Sequence, residues 1–391
     1  MDIKSGSRTQ NEFIISGPVS LYIGEYKGKR YYFFGDRHFS FSENCGDLCE
    51  DLNAETFEIN FHSDYCYTIT RFIDMICKSH HMVDIFLEHP YEHKVGSLSM
   101  KKFVENNKDR DYLGKILYTF SPCMERPISD RCIYKNARFH YIDIRQGKDK
   151  VLTGHRFISD LYNIVFDRII NKEIIPDVYA MITLLKTYFV FEMDLKLLKI
   201  YMSSTNYIND IKKYLIEFKE LYRGKNWDEI QNHVFKFFSQ AVVNIPYVKR
   251  NNKIMTRISA QFQGLEDQGD TILANNIKKF IVDKYSQMRS TIPNNYDDLY
   301  QTAVKLDTTI ENQGQKYLRL SSFLMDAYTL SRMFRIFPNT YHVNSSRVIS
   351  YAGNAHIETY KEFFQLYLGV IFKQATKKDT RCISIKLSDL L

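Results

Sequence analysis

The chain has 391 residues, of which 44% are hydrophobic and 15% aromatic, enough apolar material for one large core or two ordinary ones and too much for a disordered class. Its net charge of +7 comes from 53 Lys and Arg against 46 Asp and Glu; the densest basic runs, Lys27 to Arg30 and Lys377 to Arg381, have the length of solvated turns and speak against nucleic acid as a partner. No stretch approaches the roughly 18 uncharged apolar residues that cross a bilayer, and MDIKSGSRTQNEF lacks the apolar segment of a secretion signal, so the expectation is a soluble, unsecreted protein without a membrane span.

Residues 20–35, SLYIGEYKGKRYYFFG, read as two β-prone runs joined by Lys27-Gly28-Lys29, a hairpin in which glycine supplies the positive φ of a tight turn. The second run stops at Gly35-Asp36-Arg37-His38. A polar loop follows, containing Cys45-Gly-Asp-Leu-Cys49, the one close cysteine pair, read as structural with a metal site as the alternative. Seven cysteines, an odd number spread over a long chain, predict a reducing compartment and not a disulfide framework. Ile69, Phe72, Ile73 and Ile76 recur at helical spacing and predict a helix over 64–80. Met82 to Leu87 is a buried strand, ended at Glu88-His89-Pro90 because proline cannot continue a central strand.

A polar helical segment over 98–118 leads to a loop, SPCMERPISDR, and RFHYIDIRQGK gives a further buried strand over 138–144 that ends at Arg145. From Gly154 to Phe337 the period is helical throughout, too long for a loop. Strand character returns with Arg347 to Ala352 and runs into Gly353-Asn354-Ala355-His356. An amphipathic helix, HIETYKEFFQLYLGVIFKQA, and a last strand, RCISIKL, complete the chain. The fold class is therefore α/β: a sheet with strands from both chain ends, with residues 1–150 and 341–391 forming the core around an all-helical insertion at 151–340.

Predicted strands end in Asp36 and His38, in Glu88, in Asp143 and Arg145, and in His356. In open α/β sheets, ligands bind at the carboxyl ends of the strands. A lone Gly-x-x-His spacing is a chance-level event among 16 glycines and 11 histidines; what carries weight is that both copies, at Gly35 and Gly353, follow apolar strands at opposite ends of the chain. Two chemistries suit these groups. Imidazoles and carboxylates could hold zinc, manganese or iron with a position open for water. Without metal, one histidine would take a proton from water, a carboxylate would orient it, and an arginine would steady an oxyanion. His356 opens its predicted helix, whose positive end favours the neutral imidazole that both chemistries need. Asp143 and Arg145 alternate along a strand and could equally face one side and pair with helix charges as a structural ion pair, and His80, His81, His89, His93 and His140 read as surface or core residues.

Gly35-Asp36-Arg37-His38 resembles the Gly-Glu-x-His opening of the erythromycin-esterase and ChaN-like superfamily, which includes the TraB/Tiki proteins with their paired Gly-x-x-His motifs. Glu88 in FLEH resembles that group's second-strand glutamate, IDIRQ its downstream strand, and AGNAH its closing motif. The match rests on residues 31–40, 83–90, 139–146 and 347–360; the helical middle carries none of it. RVISYAGNAHIETY, with a composition rich in Ile, Asn, Lys and Tyr, also resembles uncharacterised proteins of large DNA viruses. The superfamily resemblance implies an α/β core with its site at the strand ends. It implies ester hydrolysis without an obligatory metal, metal-dependent peptide cleavage, or haem-associated binding. Asp36 stands where that family has glutamate, one methylene shorter.

The resulting expectation is a hydrolase of ester or peptide bonds. Its catalytic group is His38, Glu88, Arg145 and His356, and Asp36, His38, Glu88 and His356 would be the ligands if a divalent metal (Mn, Zn or Fe) is bound. The rival is a non-catalytic virion-associated or host-interacting protein, with a viral or host protein partner, that retains a vestigial site. A carrier of haem or another ligand is the third expectation. The expected location is the cytoplasm, which for a viral protein means the host cytoplasm or the virion.

Overall fold

A computed structural model describes residues 12–37, 66–79, 81–90, 112–124, 131–144, 245–289, 308–337, 345–379 and 382–390. The chain divides into two compact units, Met1–Asp143 with Ile336–Leu391, and Ile144–Arg335. His38, Arg145, Cys45 and Cys49 lie outside the described residues, as do residues 151–244 of the expected helical insertion.

The first unit is mixed α/β with two mixed sheets. Its strands are β1 (Glu12–Ser16), β2 (Ser20–Tyr26), β3 (Lys29–Asp36), β4 (Cys66–Thr68), β5 (Val83–Pro90), β6 (Ala137–Asp143), β7 (Arg347–Gly353), β8 (Lys373–Gln374), β9 (Thr376–Asp379) and β10 (Cys382–Lys386). One sheet has the order β6-β5-β7-β3-β2-β8 and the other β4-β1-β10-β9. In the larger sheet β6, β5, β7 and β3 are mutually parallel, while β2 pairs antiparallel with both β3 and β8. The smaller sheet was not anticipated, because β1, β4 and β9 are too short to show a period.

The hairpin of β2 and β3 turns on Lys27 (φ 48°) and Gly28 (φ 73°), so both central residues are left-handed, the conformation whose twist matches the flanking strands. Along β3 the side chains alternate. Tyr32 and Phe34 join a core with Phe72 and Ile76 of α1 (Ile69–Cys77) and with Ile116 and Phe120 of α2 (Tyr112–Met124). Tyr31 and Phe33 point the other way, onto Phe364 of α6 (Asn354–Leu368), with ring centroids 4.7 and 5.1 Å apart.

Several expected boundaries are corrected. The helix predicted over 64–80 begins at Ile69, because Cys66–Thr68 pairs with β1; Thr68 then caps the helix, its Oγ1 accepting from Arg71 N–H at 3.2 Å. SPCM is not loop but the last turn of α2. The carbonyl of Tyr118, deprived of a donor by Pro122, accepts instead from Ser121 Oγ at 2.9 Å. β5 includes Pro90, and the ladder with β6 shifts register between Leu87 and Pro90. The helix expected to run through Ala375 stops at Leu368. Gly369 takes the left-handed conformation (φ 66°) and Val370 N–H bonds back to Phe364 O, which frees the chain to form β8 and β9.

The cysteines also differ from expectation. Cys123 and Cys132 form a disulfide that ties the end of α2 to the approach to β6, and Cys382 is disulfide-bonded as well. Cys77 is a free, buried thiol.

The described part of the second unit is helical: α3 (Ile245–Glu266), α4 (Thr271–Arg289) and α5 (Thr308–Met333). Buried Phe262, Leu265, Ile277, Ile281, Phe323 and Leu330 supply its apolar interior, and Arg332 and Arg335 both donate to Gln261 Oε1, at 3.1 and 3.2 Å. No helix among the described residues is long and apolar enough to cross a membrane. A short helix, α7 (Leu387–Leu390), follows β10 in the first unit.

Candidate functional site

Because β6, β5, β7 and β3 are parallel neighbours, their carboxyl ends bring Asp143, Glu88, Gly353 and Asp36 to one end of the larger sheet in that order. Gly353 ends β7 and is also the N-cap of α6, so the strand passes directly into the helix that carries His356. No side chain of α6's own entry caps it. Glu88 does so from the neighbouring strand, Oε2 accepting from Gly353 N–H at 2.7 Å across 265 positions of sequence. An anion at a helix N-terminus is favoured by the unsatisfied N–H groups and the macrodipole.

The other oxygen of Glu88 faces His356, with Oε1 3.4 Å from Nε2 and side-chain exposures of 12% and 7%. Hence one carboxylate is fixed by a backbone N–H on one oxygen and faces an imidazole with the other, in a nearly water-free setting. Such a pair can move a proton. It can also supply two ligands to a cation: two ligands at about 2.0–2.1 Å on a tetrahedral ion stand roughly 3.3 Å apart, close to the separation observed.

Asp36 is 1% exposed and lies opposite Gly353 in the parallel ladder, with Oδ1 accepting from its neighbour's N–H, Arg37, at 2.8 Å. Asp143 is buried at the end of β6. Thus Glu88 and His356 are brought into contact, Asp36 stands one strand away, and His38 and Arg145 are outside the described residues. Among the described residues no three His, Cys, Asp or Glu side chains converge as a metal-binding group.

The helix seats closely on the sheet because position 35 has no side chain. A Cβ on Gly35 would collide with Ser20 Oγ and Asn354 Oδ1, which are hydrogen-bonded to each other at 2.5 Å. Tyr22 OH bonds Glu358 Oε1 at 2.5 Å, and burial together with that carboxylate pushes its phenol well above the ordinary range. Gly35 and Asn354 lie in the two glycine-to-histidine segments that the sequence reading singles out, whereas Ser20, Tyr22 and Glu358 were read only as parts of a strand and a helix.

A second buried polar group occupies the same face nearer the amino ends of the strands. Arg138 forks onto Asp84 (Nε to Oδ1 2.6 Å, Nη2 to Oδ2 2.8 Å), and His140 Nε2 lies 2.9 Å from Asp84 Oδ1. His140 is sandwiched between Phe86 and Phe337, at 4.5 and 5.0 Å between centroids, so it is a core histidine. Burial raises the Asp84 pKa, but the hydrogen bonds and charges of His140 and Arg138 outweigh it and hold this carboxyl well below the usual range. Half-buried Lys29 is lowered, by burial first and by Arg138 as well, against the opposing pull of Asp84. The sequence carries a signal for this group: a charged residue at the second position of each of two apolar parallel strands must find a partner.

Compared with known proteins, the chain matches no protein-family model, no curated protein and no solved structure.

Proposed function

We propose that the chain is a hydrolase of ester or peptide bonds, of the erythromycin-esterase, ChaN and TraB type, centred on Glu88 and His356. The observation that carries this reading is the 3.4 Å contact between a strand-end glutamate and a helix-opening histidine, with the glutamate's second oxygen fixed by the helix N-cap. Residues far apart in sequence meet at the carboxyl ends of parallel strands, where open α/β sheets bind their ligands. In this reading His356 exchanges a proton with water or the leaving group, and Glu88 sets the orientation of the imidazole and stabilises its charged form. His38 serves as a second base or ligand, and Arg145 as the contact for an anionic substrate or oxyanion.

The Glu88 oxygen and the His356 nitrogen also suit manganese, zinc or iron, with Asp36 and His38 completing the donor set. Bound there, such an ion would acidify a water and polarise the scissile carbonyl. Elemental analysis of the purified wild type beside a Glu88→Gln/His356→Ala variant, together with an ester and peptide hydrolysis panel on both, tests the proposal. Turnover present in the wild type and lost in the variant supports it, and metal lost in parallel selects the metal-dependent form. Absence of turnover on every substrate class, with metal or without, overturns it.

One observation favours the rival reading of a non-catalytic virion-associated or host-interacting protein. Asp36, already a methylene shorter than the family's glutamate, bonds the N–H of its own neighbour Arg37. In that case a folded, inactive chain would recover a stoichiometric viral or host partner.

A further inference from the structure

Two side-chain hydrogen bonds from β2 hold the helix that carries His356. Ser20 Oγ donates to Asn354 Oδ1, and Tyr22 OH donates to Glu358 Oε1, each at 2.5 Å. Ser20 and Tyr22 are two positions apart on a strand, so they share a face and stand about 6.8 Å apart. Asn354 and Glu358 are four positions apart on a helix, one turn, and stand about 6 Å apart along its axis. The spacings match, so both bonds form in a single register of helix against strand. Sliding α6 by one residue would carry both acceptors along the axis and rotate them by roughly 100°. Lys361 reinforces the second bond, with Nζ 3.0 Å from Glu358 Oε2 and 4.1 Å from the centre of the Tyr22 ring.

His356 lies midway between the two anchors in sequence, about 200° around the helix from each. In the sheet order β5-β7-β3-β2, one flank of α6 is tied to β2 and the opposite flank presents His356 to Glu88 on β5. Gly35 keeps the floor beneath the first anchor clear. We infer that Ser20 and Asn354, seconded by Tyr22 and Glu358, form a clamp that sets the register of α6 so that His356 meets Glu88. These four are positioning residues acting through His356. The inference rests on the proposed function only in taking the Glu88 and His356 pair as the centre of the site.

The test reads His356 directly in the full chain. Its ring carbon-proton cross-peak, assigned by its loss in His356→Ala, is recorded at one fixed pH in the wild type, Glu88→Gln, Ser20→Ala, Ser20→Thr and the Ser20→Ala/Glu88→Gln double variant. Ser20→Ala should move the peak most of the way that Glu88→Gln moves it, the double variant should move it no further, and Ser20→Thr, which keeps the hydroxyl, should return it to the wild-type position. A peak unmoved by Ser20→Ala, or two displacements that add in full, would overturn the clamp. Asn354→Ala reads the same bond from the helix side should Ser20→Ala fail to fold. The readout needs no turnover, so a chain without hydrolytic activity that shows these shifts keeps the clamp and loses the hydrolase reading. An active chain in which Ser20→Ala leaves both the peak and kcat unchanged does the reverse.

Discussion

Replacing Asp84 by Asn removes a charge from the interior without opening a cavity. Arg138 then retains its place with 12% side-chain exposure and no counter-charge at Asp84, where two short bonds held it. The new amide also turns a donor toward donors. Breaking one side of a buried ion pair costs about 3–5 kcal/mol. At about 2–4 °C per kcal/mol for a unit of 150–250 residues, the melting point should fall by roughly 6–20 °C. The effect carries a pH signature. The Asp84 carboxyl is held well below its usual range in the folded protein, so its contribution is fully present above the unfolded pKa of about 3.9 and is lost as pH falls through the folded value. Urea unfolding of wild type and Asp84→Asn, followed by far-UV circular dichroism from pH 7 downward, should show a wide gap that narrows below about pH 4. A gap under about 1 kcal/mol at pH 7, or one independent of pH, would refute the reasoning. A companion Asp84→Asn/Arg138→Met variant should recover part of the loss, because it removes the stranded charge.

Two glycines should respond differently to alanine. Gly28 has nothing within 4 Å of a built Cβ but a φ of 73°, so only backbone strain opposes Gly28→Ala, at about 1 kcal/mol. Gly35→Ala must displace Asn354 and break its bond to Ser20, at about 2–3 kcal/mol, and equal urea midpoints for the two variants would contradict this. The Cys123–Cys132 disulfide closes a separation of nine residues, and its removal in Cys123→Ser/Cys132→Ser should cost about 2–3 kcal/mol. Reductant should lower the wild-type midpoint by more than it lowers the variant's, and a wild type indifferent to reductant would argue against the bond.

The legible parts of the fold share a cause. The hairpin at Lys27-Gly28 declares itself through its turn glycine, the buried strands at 31–36, 83–88 and 138–143 through short apolar runs, and α1 through a period of 3.6, all signals that a single segment carries within itself. The end of α6 at Gly369 was missed because its amphipathic spacing continues beyond it; the glycine's left-handed φ and the Val370 bond to Phe364 decide the stop. The Cys123–Cys132 bond was missed because an odd cysteine count argues against a framework but says nothing of which two sulfurs meet.

The sequence by itself determined the α/β character and set Asp36, Glu88, Asp143 and Gly353 near strand ends, because local patterning marks where apolar runs stop, and it proposed Glu88 and His356 for one candidate site. Only the tertiary structure decided that β5 and β7 are parallel neighbours, that Gly353 N–H holds Glu88, and that Ser20 and Tyr22 reach across to α6. Those are contacts between segments hundreds of residues apart. Their free energy depends on which strands pair, and strand pairing is a property of the whole sheet that no one segment encodes.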